Sequence, residues 1–262
     1  MRPGPVPATI PPMTASAGAS PRSVLARGLS LLDAFEATDT ELTLAELAER
    51  TGLPKATAHR LAAELVRWGG LERAGQGYRL GVKLFELGQR APRRRDLREA
   101  ALPYLQDLYE STHENIHLAV PAGPHTLFLE KVTGHRSTPI LSRVGSRMPV
   151  HCTATGKLFL ALGPPGYFAK VAAAGLARRT PRTIVAPGLL RRELDRVCER
   201  GYGVNREESE AGVAAVAAPV YDARRRLLAA ISITGGVERL DLDRLAPAVR
   251  TAAFALSREL AG

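Results

Sequence analysis

The stretch LTLAELAERTGLPKATAHRLAAELVRWGGLERAGQGYRL, residues 42–80, constrains the fold more than any other part of the chain. Its apolar residues follow a helical period twice, with a turn between, and then give way to two short extended runs. Thr43 can cap a short helix carrying Leu44, Leu47 and Ala48, and Glu46, three residues on, completes a capping box. Gly52 permits a left-handed turn, and Pro54 suits the first turn of a new helix. Over 54–69, Ala58, Leu61, Ala62 and Leu65 fall on one stripe, while Ala56, His59, Arg60, Ala63 and Arg67 lie opposite or beside it. Gly75-Gln76-Gly77 then joins two runs that read as a hairpin. Upstream, Leu25, Leu29, Leu32 and Phe35 predict a further helix over 24–37. Three helices followed by a hairpin describe a winged helix-turn-helix over 22–81.

Charge gives this unit a partner. The chain carries a formal net charge of +10, and between Arg50 and Arg95 eleven Lys and Arg stand against three Glu. A charge run alone is often a solvated face. Here it lies on a helix whose outward side is small and basic, and such a face fits the major groove, where Arg and His reach base edges or phosphates. Lys55, Thr57, His59 and Arg60 are therefore the candidate contacts of the third helix, with Arg73 and Arg79 on the wing near the backbone of bound double-stranded DNA. The small surface of one such module predicts two copies on a two-fold related operator, with the helix after the wing (Leu84, Phe85, Leu87) supplying part of the contact.

SVLARGLSLLDAF, the 42–65 segment and YRLGVKLFELG together resemble the winged helix-turn-helix of the IclR family of bacterial transcriptional regulators. The resemblance continues through RVGSRMPVHCTATGKLFLA, GYGVNREESEAGVAAVAAPVYD and LLAAISITG, and so covers about 23–260. It implies a DNA-binding domain (22–81), a linker helix (82–96) and a GAF-like domain (97–262) that binds a small effector, assembled as homodimers or homotetramers on palindromic operators. Carried over by motif, the effector positions are Met148, Ala154, Thr155, Asn205, Ala215, Ser232 and Thr234. Asn205 stands where the family can have an acidic residue, and Ala215 where it can have Cys.

The second half supports an α+β domain independently. Residues 82–112 read as helical, with breaks at Pro92 and Pro103. NIHLAV, TLFLEKV and PILSRV read as strands, helices follow from Thr153 and Leu189, and VAAVAAPVYD and RLLAAISIT read as the last two strands before a helix from Leu240. This order predicts an antiparallel sheet with helices. The family resemblance, rather than the pattern itself, puts Asn205 in a loop before the penultimate strand. On the last strand, Leu228, Ala230, Ser232 and Thr234 share one face, so hydroxyls interrupt a face otherwise fit for burial. Thr153 precedes a helix whose first residues, Ala154 to Gly156, are small and present amides at its positive end, a seat for a carboxylate that Lys157 or Arg147 can assist if either points inward.

Enzyme readings find less support. HENIH, 113–117, matches the H-E-x-x-H of zinc peptidases, but that chemistry needs both histidines on one helical face, and 116–120 read as extended. His113 and His117 are expected to be structural. No P-loop, G-x-S-x-G or C-x-x-C pattern occurs. Cys152 is expected to be a small residue in or near the pocket, and Cys198 a core residue of an amphipathic helix; with only these two cysteines no disulfide framework is expected. No apolar run approaches the about 18 residues of a membrane span. Residues 1–21, rich in Pro, read as a disordered tail, and the protein as cytoplasmic. No metal or cofactor is implied. The alternatives are a hydrolase with an appended DNA-binding domain and a ligand-free structural DNA-binding protein.

Overall fold

A computed structural model of the chain describes residues 23–36, 39–90, 92–134 and 137–262; the tail expected over 1–21 lies outside them. The chain divides into two compact units, Met1–Ala91 and Pro92–Gly262.

The first unit contains α1 (Val24–Asp33), β1 (Leu42–Thr43), α2 (Leu44–Thr51), α3 (Lys55–Trp68), β2 (Leu71–Ala74), β3 (Gly77–Leu80) and α4 (Val82–Gln89). The capping box forms: the Thr43 hydroxyl accepts the Glu46 amide, and the Glu46 carboxylate accepts the Thr43 amide. Such a cap contributes about 1 kcal/mol. Gly52 takes the left-handed conformation, φ 66°, which lets the chain reverse between α2 and α3 at little steric cost. Ala58, Leu61 and Ala62 of α3 pack with Leu31, Leu47, Leu71 and Tyr78 into one core. The wing gains a third strand that periodicity did not reveal, because two-residue β1 pairs with β3. Helix α1 ends at Asp33 rather than at 37, itself outside the described residues.

The second unit comprises α5 (Pro92–Thr112), β4 (Asn115–Ala122), β5 (His125–Val132), β6 (Arg147–Pro149), a 3-10 turn (Val150–Cys152), α6 (Ala154–Leu162), α7 (Tyr167–Ala173), α8 (Pro187–Arg200), β7 (Gly203–Arg206), β8 (Val213–Tyr221), β9 (Leu227–Gly236) and α9 (Leu242–Glu259). The strands form one antiparallel sheet in the order β6-β5-β4-β9-β8-β7. Ile116, Leu118, Val216, Val220, Ile231 and Ile233 pack with Leu105, Val249 and Leu256 of α5 and α9. Burying each large aliphatic side chain is worth about 1.5–3 kcal/mol, so this layer holds the domain together. The opposite face bears Ala119, Ala215, Ala217 and Ala230, small residues that let α6 approach with Leu158 and Phe159.

Several expectations are corrected. Pro103 lies inside α5 and does not end it. A mid-helix proline costs about 3 kcal/mol, and burial of Leu97, Ala101, Leu105 and Leu108 on both sides of it offsets that cost. The segment PILSRV is not a strand; the short edge strand is β6, a few residues on. Asn205 sits on strand β7, not in a loop. The alternation of β9 breaks at Leu228, where Tyr221 pairs with Leu227 and Val220 with Ala229. The skipped residue turns Leu228 toward the α5–α9 layer, while Leu227 packs under α6. Cys198 is exposed rather than core. The stretch 82–96 holds all of α4 and the start of α5, and the division between the units falls within it.

Candidate functional site

Two regions gather the residues singled out by sequence. In the first unit, Lys55, His59 and Arg60 are exposed on α3, with Thr57 half-buried beside them. Among the described residues, no side-chain partner ties down Lys55, His59 or Arg60. Arg67 is paired with Glu64 at 2.8 Å. The wing arginines are held more closely. Arg73 lies over the Tyr78 ring, 4.5 Å from its centroid. Arg79 pairs with Glu72 at 2.8 Å, and the other oxygen of Glu72 accepts the Val82 amide at 3.0 Å.

In the second unit, Met148, Ala154, Thr155, Asn205, Ala215, Ser232 and Thr234 all line one cavity of about 30 Å³. That is room for a water molecule or two, so a larger guest requires its walls to move. The small, polar face of the sheet forms the floor, and the start of α6 forms the opposite wall. Thr153 caps α6, its hydroxyl accepting the Gly156 amide at 3.1 Å, and its carbonyl accepts the Lys157 amide. The anion seat expected over Ala154 to Gly156 therefore narrows to two amides. Ala154 and Thr155 keep N–H groups without an acceptor among the described residues, both on residues 2% exposed. Gly156 is obligatory for another reason: a Cβ there would collide with the Val150 carbonyl.

Ser232 is 3% exposed, so its hydroxyl is an interior group rather than one at a solvent-facing strand end. Asn205 is committed to its own turn. Its carbonyl accepts the Glu208 amide and its amide group donates to Ser209 Oγ, both at 2.8 Å. It shapes the cavity by fixing the turn after β7.

Sequence reasoning passed over other lining residues. His117 projects from β4 into this wall, its Nε2 2.9 Å from Ser142 Oγ and its ring 5.0 Å from that of Phe128. Burial, with a smaller contribution from Lys131, lowers its pKa to about 3, so the imidazole is neutral. His113 follows α5 in a turn with φ 55°, whereas His117 is on a strand. The two histidines therefore share no helical face, and the peptidase geometry is not formed. Ser209 and Glu210, on the turn after β7, also line the cavity. Burial raises the Glu210 pKa, against the Leu141 hydrogen bond and the nearby Arg179 and Lys131. Cys152 is buried, and its thiol is pushed up to about 12, mainly by desolvation, which leaves it a poor nucleophile.

The basic residues considered for the cavity point elsewhere. Arg147 is exposed on the edge strand. The Lys157 ammonium is buried behind α6, donating to the Val204 carbonyl at 2.9 Å and to Glu208 Oε1 at 2.5 Å.

Comparison with known proteins fits both regions. The family model for the bacterial transcriptional regulator IclR C-terminal domain matches residues 89–258, and that for the IclR helix-turn-helix domain matches 24–75. The chain is 34% identical over 240 residues to the HTH-type transcriptional regulator XynR of Escherichia coli (strain K12), covering 89% of this chain and 95% of that one. It is 33% identical over 243 residues to the glycerol operon regulatory protein of Streptomyces coelicolor, covering 90% and 95%. The crystal structure of an IclR homolog complexed with 4-hydroxybenzoate from Microbacterium hydrocarbonoxydans matches with a TM-score of 0.85 at 32% identity, over 91% of this chain and 99% of that one. With matches running through both units, the chain belongs to the IclR family of bacterial transcriptional regulators.

Proposed function

We propose that the chain is a cytoplasmic, effector-responsive regulator that binds a palindromic operator as a homodimer or homotetramer and has no enzymatic activity of its own. In this reading residues 22–81 bind DNA, 82–96 link, and 97–262 sense the effector. Lys55, Thr57, His59 and Arg60 enter the major groove, and Arg73 and Arg79 lie along the backbone. A small organic acid occupies the cavity, its carboxylate on the Ala154 and Thr155 amides and the Ser232 hydroxyl, with Met148, Asn205, Ala215 and Thr234 around it.

One observation carries the effector reading: seven positions drawn from five separate elements, β6, α6, β7, β8 and β9, converge on a single cavity. Its donors are neutral but the carboxylate is charged, and each such hydrogen bond contributes about 1.5–3 kcal/mol net, so the three donors set an expected affinity between about millimolar and micromolar. The 4-hydroxybenzoate in the Microbacterium homolog supports an organic acid as effector, and a guest of that size enters only as the cavity walls move. A ligand alters operator affinity only if it favours one arrangement of the DNA-binding units over another. Operator-binding curves with and without a panel of aromatic and aliphatic acids test this. One acid should shift the curve, and the double substitution Ser232→Ala with Thr234→Val should abolish the shift. The reading fails if no acid moves the curve, and the two hydroxyls lose their role if the double variant responds like the wild type.

A further inference from the structure

Among the described residues that line the cavity, Glu210 is the one charged side chain. It sits where two segments meet. One carries Ile140 and Ser142, the other is the turn after β7, and Glu210 Oε2 accepts the Leu141 amide at 3.2 Å to join them. Its second oxygen has no donor among the described residues. Two cations act on it: the Lys131 ammonium donates to the Ser142 carbonyl at 3.0 Å, and Arg179 acts through charge alone, without an ion pair to Glu210. A half-buried carboxylate with an open oxygen favours a guest that brings a donor, and it repels a guest that brings a second negative charge.

We propose that Glu210 selects the effector: the cavity takes a monocarboxylate that also carries a hydroxyl or similar donor, and it discriminates against dicarboxylates. This rests on the organic-acid reading of the cavity. The amides of Ala154 and Thr155 take the single carboxylate, and the donor end satisfies Glu210. The raised pKa of Glu210, caused chiefly by burial, fits a carboxylate short of donors.

Calorimetric titration of the full-length protein tests the rule with two series. One is benzoate, 3- and 4-hydroxybenzoate and terephthalate; the other is butyrate, 3-hydroxybutyrate and succinate. In at least one series the wild type should bind a hydroxy acid roughly tenfold more tightly than the plain acid, the scale of one hydrogen bond to a charged group, and the diacid most weakly. Glu210→Gln keeps an acceptor for Leu141 but removes the charge. It should shrink the hydroxyl preference and raise diacid affinity relative to the plain acid by a similar factor. Both ratios are taken within each protein, so a general loosening of the fold cancels. Ratios unchanged in the variant, or a wild type that holds diacids as well as hydroxy acids, would overturn the proposal while leaving the organic-acid reading intact. If no acid binds either protein, that reading falls and the proposal with it.

Discussion

The Lys157 ammonium stands 2.5 Å from Glu208 Oε1, with both side chains buried, and 3.7 Å from Glu193 Oε1. Lys157 belongs to the helix whose first turn faces the cavity, and Glu208 to the turn that carries Ser209 and Glu210. The pair thus ties the two walls of the site together from behind. Burial raises the pKa of Glu208 in spite of Lys157. At Glu193 burial pushes the same way, but Lys157, Arg200 and Arg196 together outweigh it and the net shift is downward. Replacing one member strands the other. Lys157→Met should cost about 3–5 kcal/mol, the usual penalty for leaving one buried charge unpaired, and adding Glu208→Gln should recover part of it. Urea unfolding followed by circular dichroism measures this, since the single tryptophan, Trp68, reports only on the first unit. A single variant as stable as the wild type would sink the argument.

His117 makes stability depend on pH. Its folded pKa of about 3 lies below the ordinary histidine value of 6.5. Between those values the unfolded chain binds a proton that the folded chain does not, so stability is complete above 6.5 and falls as the pH drops toward 3. The slope contributed is at most about 1.4 kcal/mol per pH unit. His125 and His151 shift in the same direction, chiefly through burial, and remain in both proteins when His117→Gln is compared with wild type. The variant should lose less stability between pH 7 and pH 5. Parallel curves would show that His117 does not carry this dependence.

The helix start is packed too tightly to accept even a methyl group. A Cβ on Gly156 would strike the Val150 carbonyl, and one on Gly203 would strike the Ala154 carbonyl, so backbone blocks both positions. Gly203→Ala should therefore displace the first turn of α6 at about 1–3 kcal/mol in stability. It should also weaken effector binding more than Gly188→Ala, at a glycine of α8 with an ordinary φ and open space around it. Equal effects of the two substitutions on effector titrations would contradict this account.

The cavity was legible in part because side-chain chemistry differs between the two faces of the same strands. Ile231 and Ile233 alternate with Ala230 and Ser232, so the small, polar side of the last strand shows in the sequence itself, and Val216 alternates with Ala215 and Ala217 in the same way. The capping box at Thr43 and the turn at Gly52 were equally local and equally readable. What stayed hidden was long-range. The pairing of Leu42–Thr43 with β3 is too short to leave a period, and the bulge at Leu228 depends on the register of β8. His117 joins the cavity wall through Ser142, 25 residues away, and Glu210 through Leu141, 69 residues away. Cys198 was misread because the helical stripe of α8 is narrower than its apolar composition suggests, with Leu194 and Val197 inside and Cys198 at the edge.

Assembly should run through exposed apolar residues of the first unit. Val82 and Phe85 of α4 are 63% and 66% exposed, and Leu25 of α1 is 70% exposed. Large apolar side chains left this exposed, two of them three residues apart on α4, are candidates for a contact that covers them. Sedimentation of the wild type at micromolar concentration should give a dimer or tetramer, and Phe85→Glu should shift it toward smaller species while α3 keeps its fold. A wild type that sediments as a monomer, with or without DNA, would end this reading.

Arg60 and Arg79 should behave differently on DNA although both are exposed arginines. Arg60 has no ionic partner among the described residues and stands on the outward side of α3, so its guanidinium is available to a guanine edge. Arg60→Ala should weaken specific operator binding by roughly 1–3 kcal/mol and weaken binding to random DNA much less. Arg79 must first leave Glu72, in a solvent-exposed pair worth about 0–1 kcal/mol. Its removal should act on operator and random DNA alike and lower the salt dependence by about one counterion. Gel-shift titrations of both variants at several fixed salt concentrations, against operator and random duplexes, separate the two roles. If Arg60→Ala weakens both duplexes equally, Arg60 is a phosphate contact; if it weakens neither, α3 does not present this face to DNA.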